Sequence, residues 1–407
     1  MEPKINRAEN LNETPNSRRT HISFFGRINA GKSSVVNAIT GQNVSITSDT
    51  KGTTTDPVKK AIELYPLGPV LITDTPGIDD SGKVGAMRIK SAGKVLSRTD
   101  IAVLVVDSFI GLNDDDHHLI EVFREKQIPF CVVFNKIDMD MEMLKGSDIE
   151  EYDFPCVSVS AVTGEGIEKL VGMLGQFTTP ESKERKIVRD VVPEDSHVVL
   201  VTPIDSSAPK GRLILPQVQT IRDLLDGRCN ITITDTDRLD QVLNSFRNPP
   251  YAVITDSQVF EQVAKIVPDN IFLTSFSILF ARFNGILYTA VSGALALKAL
   301  DSGEKILISE GCTHHRQCND IGSVKLPQWI EKYTGKKFKY EFSSGGEFPD
   351  DLSSYGLVIH CGGCMLNTTE MVSRMKLTRG QGIPFTNYGT LIAHMNGILT
   401  RSIRIFE

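Results

Sequence analysis

"GRINAGKS", residues 26–33, lies between the apolar run "HISFFG" and a stretch of helical period, "VVNAIT". It fits G-x-x-x-x-G-K-S/T in the strand-to-helix setting where such a loop cradles phosphates. Gly26 and Gly31 let the backbone wrap the anion closely, with the amides of Ala30, Gly31 and the residues up to Ser34 turned inward. Lys32 reaches the β- and γ-phosphates, and Ser33 offers its hydroxyl to Mg²⁺. A loop of this kind belongs to an α/β fold with a mainly parallel sheet.

The flanking sequence agrees. Short apolar runs, "HISFFG", "PVLITDTPG", "IAVLVVD", "PFCVVFNK" and "PCVSVSA", alternate with helical-period segments. Three of these runs end in further nucleotide signals. "DTPG" at 74–77 places Asp74 to hold Mg²⁺ through water and the Gly77 amide to sense the γ-phosphate. "NKID" at 135–138 places Asp138 to accept two hydrogen bonds from a guanine edge, with Asn135 and Lys136 framing the base. "SA" at 160–161 supplies Ser160 and Ala161 as the last element of the base pocket. Adenine would leave buried groups unpaired against Asp138, a discrimination of about 10⁴. The expected ligands are therefore GTP and GDP with Mg²⁺, and the expected activity is GTP hydrolysis.

These motifs resemble translation-factor-like GTPases of the tRNA-modification and Era type, and the likeness extends to "GTTTD" at 52–56. By that resemblance Thr54 is the Mg²⁺-binding switch threonine, with Thr53 its competitor, and Lys32, Thr54, Asp74 and Gly77 form the catalytic set. Ile78 stands where Ras-like enzymes carry a water-orienting glutamine, so turnover should be slow, about 10⁻³ s⁻¹ or less. Asn29 is similar to the asparagine that helps such GTPases bind K⁺ beside the phosphates, which implies K⁺ stimulation.

The whole chain has 407 residues, 40% hydrophobic and 23% charged, with a formal net charge of −6 and a pI near 5.8. That balance argues against a broad nucleic-acid-binding face. The polar start "MEPKINRAENLNETPNSRRT" has no signal-peptide core and reads as a flexible lead-in. The charge-free stretch Phe283–Leu297 is too short for a membrane span and is expected to be a buried helix. Seven cysteines without a secretion signal suggest the cytoplasm.

Three consecutive α/β units are expected. After a flexible 1–20 comes a GTPase domain over 21–180. A parallel-sheet unit over 181–270 follows, led by the charged linker "TTPESKERKIVRDVVPEDS", and then a third unit over 271–407. In the third unit "GCTHH" (311–315) and "HCGGC" (360–364) each follow an apolar strand, so both clusters can meet in one crevice of the sheet. Cys312, His314, His360, Cys361 and Cys364 would suit tetrahedral zinc as Cys₃His, an iron–sulfur cluster on the three cysteines, or a redox dithiol. Spacing alone leaves zinc and iron–sulfur level.

A GTPase domain followed by C-x-H and, some 45 residues on, H-C-x-x-C resembles the [FeFe]-hydrogenase maturation GTPases. "TPNSRRTHISFFGRINAGKSS", "HCGGCM" and "PFTNYGTLIAH" are similar to that family too, so the likeness spans essentially the whole chain. The resemblance implies a [4Fe–4S] cluster on Cys312, Cys361 and Cys364, with His314 as a candidate fourth ligand and His360 a weaker one. It implies a homodimer formed by the middle unit, and a scaffold and carrier of a diiron precursor. Two radical-SAM maturases and the apo-hydrogenase would be its partners. Competing readings are a tRNA-modifying GTPase, disfavoured by a chain ending "RSIRIFE" with no terminal cysteine motif, and a GTPase adaptor with structural zinc. Cys318 is read as inert, and Cys131, Cys156 and Cys229 as packing residues. "DDDHH" at 114–118 is read as a solvated helix start, His394 as a packing residue, and Glu347 in the glycine-rich turn "SSGGEFP" is given no role.

Overall fold

The computed structural model describes residues 14–41, 58–75, 93–139, 152–177, 185–204, 213–311 and 321–407. Of the expected flexible start, residues 1–13 lie outside the described residues, whereas Asn16–Arg18 form a 3-10 turn and Thr20 already opens the first strand, so the ordered domain begins earlier than expected. The chain divides into two compact units, one over Thr14–Glu184 and one containing Arg185–Glu407.

The first unit runs β1 (Thr20–Phe25), α1 (Lys32–Thr40), β2 (Val58–Leu64), β3 (Gly68–Asp74), β4 (Ile101–Asp107), α2 (Asp114–Glu125), β5 (Phe130–Asn135), β6 (Cys156–Val159) and α3 (Ile167–Gln176). Its six strands lie in the order β2-β3-β1-β4-β5-β6. All neighbours are parallel except β2, which runs antiparallel along β3. The central strands are buried on both faces and so read as continuous apolar runs. Register pairs Phe24 with Asp74, Asp107 with Asn135 and Asn135 with Val159. The carboxyl ends that carry the nucleotide motifs therefore share one edge.

The second unit holds two four-stranded parallel sheets. The first contains β7 (His197–Val201), α4 (Leu215–Asp226), β8 (Asn230–Thr234), α5 (Leu239–Ser245), β9 (Ala252–Thr255), α6 (Phe260–Ile266) and β10 (Phe272–Ser275), followed by α7 (Phe276–Phe283) and α8 (Leu287–Ala296). The second contains β11 (Lys305–Glu310), α9 (Leu326–Thr334), β12 (Lys339–Ser344), β13 (Tyr355–His360), α10 (Thr368–Gly380), β14 (Phe385–Asn387), α11 (Tyr388–Met395) and α12 (Leu399–Ile403). Strand order is β10-β9-β7-β8 in one and β12-β11-β13-β14 in the other, the same arrangement read from opposite ends.

The likeness continues past the strands. Ser275 and Asn387 cap α7 and α11 with their side chains. Both helices then end in Asn-Gly-Ile-Leu, at 284–287 and 396–399, with φ of +71° at Gly285 and at Gly397. The closing helices are exchanged. Thr386 on β14 donates its hydroxyl to Ala290 O of α8 at 2.7 Å. Arg401 of α12 donates to Val267 O and Pro268 O, just ahead of β10, both at 2.7 Å. One apolar core consequently runs from Val199, Val253 and Leu273 of the first sheet to Leu307, Val358 and Phe385 of the second.

Three details differ from the sequence reading. The expected linker docks from residue 187 onward, because Asp223 Oδ2 accepts from the amides of Ile187, Val188 and Arg189 at 3.1, 2.8 and 2.9 Å. Ile187 and Val188 are fully buried there. The fourth strand of the first sheet, β10, lies beyond residue 270 and pairs with β9. The apolar stretch at 283–297 is broken at Asn284–Gly285, so its helix is only α8. Among the described residues no helix is long and apolar enough to cross a membrane.

Candidate functional site

In the first unit the loop from Gly26 to Gly31 joins β1 to α1. Lys32 Nζ turns back over it and donates to Gly26 O at 2.9 Å and Arg27 O at 2.8 Å. Gly31 has φ of +88°, and a Cβ there would fall 2.2 Å from Asn135 Nδ2, so the position admits only glycine. Asn135 is a brace: Nδ2 donates to Ala30 O and Oδ1 accepts from Ala161 N, both at 3.1 Å. The phosphate loop and the Ser160–Ala161 loop are thus tied through one amide. Asp138 Oδ1 accepts from Ser160 Oγ at 2.6 Å, and that oxygen in turn accepts from Thr163 N at 3.0 Å. Lys136 Nζ donates to Asp107 Oδ2 at 2.7 Å. Burial opposes the charge on Asp107, yet Lys136 and the Phe109 amide hold its carboxyl below the ordinary range.

Ser33 Oγ donates to Asp74 Oδ2 at 2.5 Å. Burial pushes the Asp74 carboxyl up, and its Oδ1 is buried with no hydrogen-bond partner among the described residues. An unpartnered buried carboxylate oxygen beside a serine hydroxyl fits Mg²⁺, whose hard charge would satisfy both. Asn29 and Ser34 are exposed, and Asn29 has φ of +63°. Thr54, its competitor Thr53, Gly77 and Ile78 lie outside the described residues.

Sequence reasoning missed one connection to this loop. Arg27 Nη2 donates to Gly111 O at 2.5 Å and lies 3.2 Å from Asp116. Asp116 is only 1% exposed, although "DDDHH" was expected to face solvent. It closes a capping box with Asn113, whose spacing of three is the signal that would have marked it.

In the second unit His360 pairs with Ser309, so "HCGGC" leaves β13 beside the end of β11. Strand order reverses between these two strands, the place where open α/β sheets form their crevice. Cys361 N donates to Ser309 O at 2.9 Å. Cys361 Sγ accepts from Gly311 N at 3.1 Å and Gly363 N at 3.4 Å. Burial pushes the Cys361 thiol up, while those two amides favour the thiolate. Cys364, on the same turn, is a second part-buried cysteine outside any disulfide. Two soft donors on one turn, with amides aimed at sulfur, fit a thiolate-held metal or cluster.

His360 is engaged at both ring nitrogens. Nε2 lies 2.9 Å from Arg374 Nη1 and Nδ1 lies 3.0 Å from Cys361 O. Burial first, and then the Arg374 charge, push its pKa down to about 3. Cys312, His314 and Cys318 lie outside the described residues. Among the described residues, no three His, Cys, Asp or Glu side chains gather as a metal site. Glu347 is exposed on the turn after β12, and His394 Nε2 meets the Tyr333 hydroxyl at 3.3 Å. Cys131 and Cys229 are buried, and Cys156 partly so.

Comparison with known proteins follows the same division. Residues 21–136 match a family described as 50S ribosome-binding GTPase. GTPase Der of Kosmotoga olearia is 31% identical over 166 residues, 38% of this chain and 37% of Der. GTPase Era of Crocosphaera subtropica is 30% identical over 166 residues, 39% of this chain and 52% of Era. The tRNA modification GTPase MnmE of Chromobacterium violaceum is 35% identical over 161 residues, 38% of this chain and 35% of MnmE. The chain thus spans roughly a third to a half of these relatives' lengths. An Aquifex aeolicus Era variant bound to GDP and AlF₄⁻ overlays with a TM-score of 0.34 and 19% identity, covering 56% of this chain and 98% of that one.

Beyond the GTPase domain the matches are of another kind. Residues 187–285 match the hydrogen maturase F dimerization domain, and residues 288–405 match the hydrogen maturase F tetramerization domain. Their junction falls in the Asn-Gly-Ile-Leu turn ahead of α8, and the oligomerisation name on the second was not foreseen from sequence. Two family-specific segments that meet at that turn and fill the second unit, behind a GTPase domain, make this chain a member of the hydrogen maturase F family of hydrogenase maturation GTPases.

Proposed function

We propose that the chain is a GTP-controlled scaffold that holds a [4Fe–4S] cluster on Cys312, Cys361 and Cys364, receives a diiron precursor and delivers it to apo-[FeFe]-hydrogenase. The observation that carries the cluster reading is the Cys361 sulfur at the reversal point of the third sheet, accepting the Gly311 and Gly363 amides. Amides directed at sulfur favour thiolate and tune a bound cluster's potential. A sulfur-rich anchor at the point where strand order reverses suits retention of an iron-containing cargo until transfer. The exposed edge strand β8, with Ile233 at 45% exposure, supports self-association through the middle segment. Two radical-SAM maturases would load the scaffold, in the cytoplasm.

In the GTPase domain Lys32, Thr54, Asp74 and Gly77 would act on the γ-phosphate. Gly26, Asn29, Ala30, Gly31, Ser33 and Ser34 would line the phosphates, and Asn135, Lys136, Asp138, Ser160 and Ala161 the base. Ser33 and Thr54 would hold Mg²⁺, with Asn29 beside K⁺. The Asn135 brace supports this reading, since occupancy of either loop is felt by the other. GTP binding would then time partner release.

The test is iron and acid-labile sulfide analysis of anaerobically reconstituted protein, with EPR after dithionite. About four irons and four sulfides per chain, lost in Cys361→Ser, is the expected result. Stoichiometric zinc without sulfide would replace the scaffold reading with a structural metal. Titration of a maturase against the GTP- and GDP-bound forms tests timing; equal affinities would rule it out.

A further inference from the structure

We propose that Arg374 is the positioning residue of the cysteine loop, fixing the Cys361 carbonyl through His360 and thereby holding the sulfur pair in register. The inference rests on the reading that this loop holds an iron–sulfur cluster.

Arg374 projects from α10 and is 4% exposed. A buried guanidinium is costly unless its charge and donors are all used. Glu370, one turn earlier, neutralises it with Oε1 at 2.6 Å from Nη2. The remaining donors reach the carboxyl ends of three neighbouring strands. Nη1 donates to Ser309 Oγ of β11 at 3.4 Å and to His360 Nε2 of β13 at 2.9 Å. Nη2 donates to Gly345 O, just past β12. The Phe348 ring covers the guanidinium, 5.2 Å from its centroid. Lysine has neither the planar fork nor enough donors to span these groups.

The contact with His360 has a direction. Guanidinium nitrogens only donate, so Nε2 accepts, and the neutral ring carries its proton on Nδ1. Nδ1 donates that proton to Cys361 O, 3.0 Å from the nitrogen. The first carbonyl of Cys361–Cys364 is therefore held by a relay anchored on α10, and the His360 lone pair is spent on Arg374 rather than available to iron. The first sheet of the unit provides an internal comparison. By register Thr255 occupies the place of His360, since Val201 pairs with Thr255 as Ser309 pairs with His360. There the residues that follow are Asp-Ser-Gln-Val, 256–259, and helix α6 contains no arginine. The relay is present only in the repeat with the cysteine pair.

The experiment compares reconstituted full-length wild type with Arg374→Gln, Arg374→Lys and His360→Gln. Readouts are the rate of iron loss to a chelator, the reduced-cluster EPR with its nitrogen coupling, the midpoint potential and GDP affinity. Arg374→Gln should lose iron at least tenfold faster, with a more negative potential because a buried positive charge is gone, and bind GDP as wild type does. Arg374→Lys should restore the potential but not the retention. Because a buried arginine can be needed for folding, His360→Gln leaves the Arg374–Glu370 pair in place. It too should shed iron faster, with nitrogen coupling unchanged. Iron retention equal to wild type in Arg374→Gln or His360→Gln, or nitrogen coupling lost in His360→Gln, would overturn the proposal. Wild type that takes no iron–sulfur cluster would overturn the underlying reading first, and this inference with it.

Discussion

Asn135 Nδ2 donates to Ala30 O across 3.1 Å, joining the end of β5 to the phosphate loop. Its Oδ1 takes the Ala161 amide at 3.1 Å, so one 2%-exposed side chain serves both nucleotide loops. Asn135→Ala removes two buried hydrogen bonds, each worth about 1 kcal/mol, and leaves an amide and a carbonyl without partners. GDP affinity should fall at least tenfold, the equivalent of about 1.4 kcal/mol, and the first unit should melt earlier. Fluorescent-nucleotide titration checks it. Unchanged affinity would mean that the two loops are held by something else.

Asp223 anchors the chain where it enters the second unit. Three amides, of Ile187, Val188 and Arg189, converge on its Oδ2. Asp223→Ala orphans all three in a buried setting, and Ile187 and Val188 lose their docking. About 3 kcal/mol of stability should be lost. Chemical denaturation of the full chain, followed by near-UV circular dichroism, should show the second unit's transition at lower denaturant. The nucleotide-binding transition should not move.

Asp190 gives a pH-dependent test. Burial alone would raise its carboxyl, but Arg282, bidentate at 3.0 and 2.5 Å, holds it below the ordinary carboxylate range. With the folded value depressed, the unfolded chain takes up this proton first as pH falls. The stabilisation is therefore complete above the unfolded value of about 4 and is lost as pH drops through the folded one. Asp190→Asn should cost about 1 kcal/mol at pH 7, since the side chains are 26% and 32% exposed. The gap between the urea midpoints of variant and wild type at pH 7 should narrow at pH 3. An equal gap at both pH values would mean that the loss is packing rather than charge.

Much of this architecture is legible in the sequence because parallel strands buried on both faces appear as unbroken apolar runs. The phosphate loop and "NKID" were readable for a related reason: backbone wrapping and base recognition tolerate few residue types. β2 was not, since "VKKAIEL" is a charged edge strand with several exposed residues, paired antiparallel with β3 alone. The docked segment at 187–192 was hidden by its charged surroundings, and its acceptor, Asp223, is more than thirty residues away. The doubling of the second unit was not read from the sequence, because "TSFSILFARFNGIL" and "TNYGTLIAHMNGIL" share little besides a capping position, filled by Ser275 and Asn387, and the Asn-Gly-Ile-Leu turn. Arg374 gave no local signal, because its partners come from three strands that only the fold brings together.

The exchanged helices make a final prediction, about Gly293. A Cβ on this residue of α8 would fall 2.0 Å from Phe385 O and 3.1 Å from Phe385 N, both backbone atoms that cannot swing aside. Gly293→Ala should thus destabilise the second unit by about 2 kcal/mol, although alanine improves helix propensity by about 1 kcal/mol. Gly172→Ala in α3 is the control: nothing lies within 4 Å of its Cβ position, and it should stabilise slightly. Phe385 opens β14, whose next residues Thr386 and Asn387 pair with Ile359 and His360. Pushing α8 off β14 therefore disturbs the strand that ends in the cysteine loop. Gly293→Ala should release iron from reconstituted protein faster than wild type, while Gly172→Ala should not. Equal stability in Gly293→Ala would show that α8 and β14 do not approach so closely, and that the two repeats are held together elsewhere.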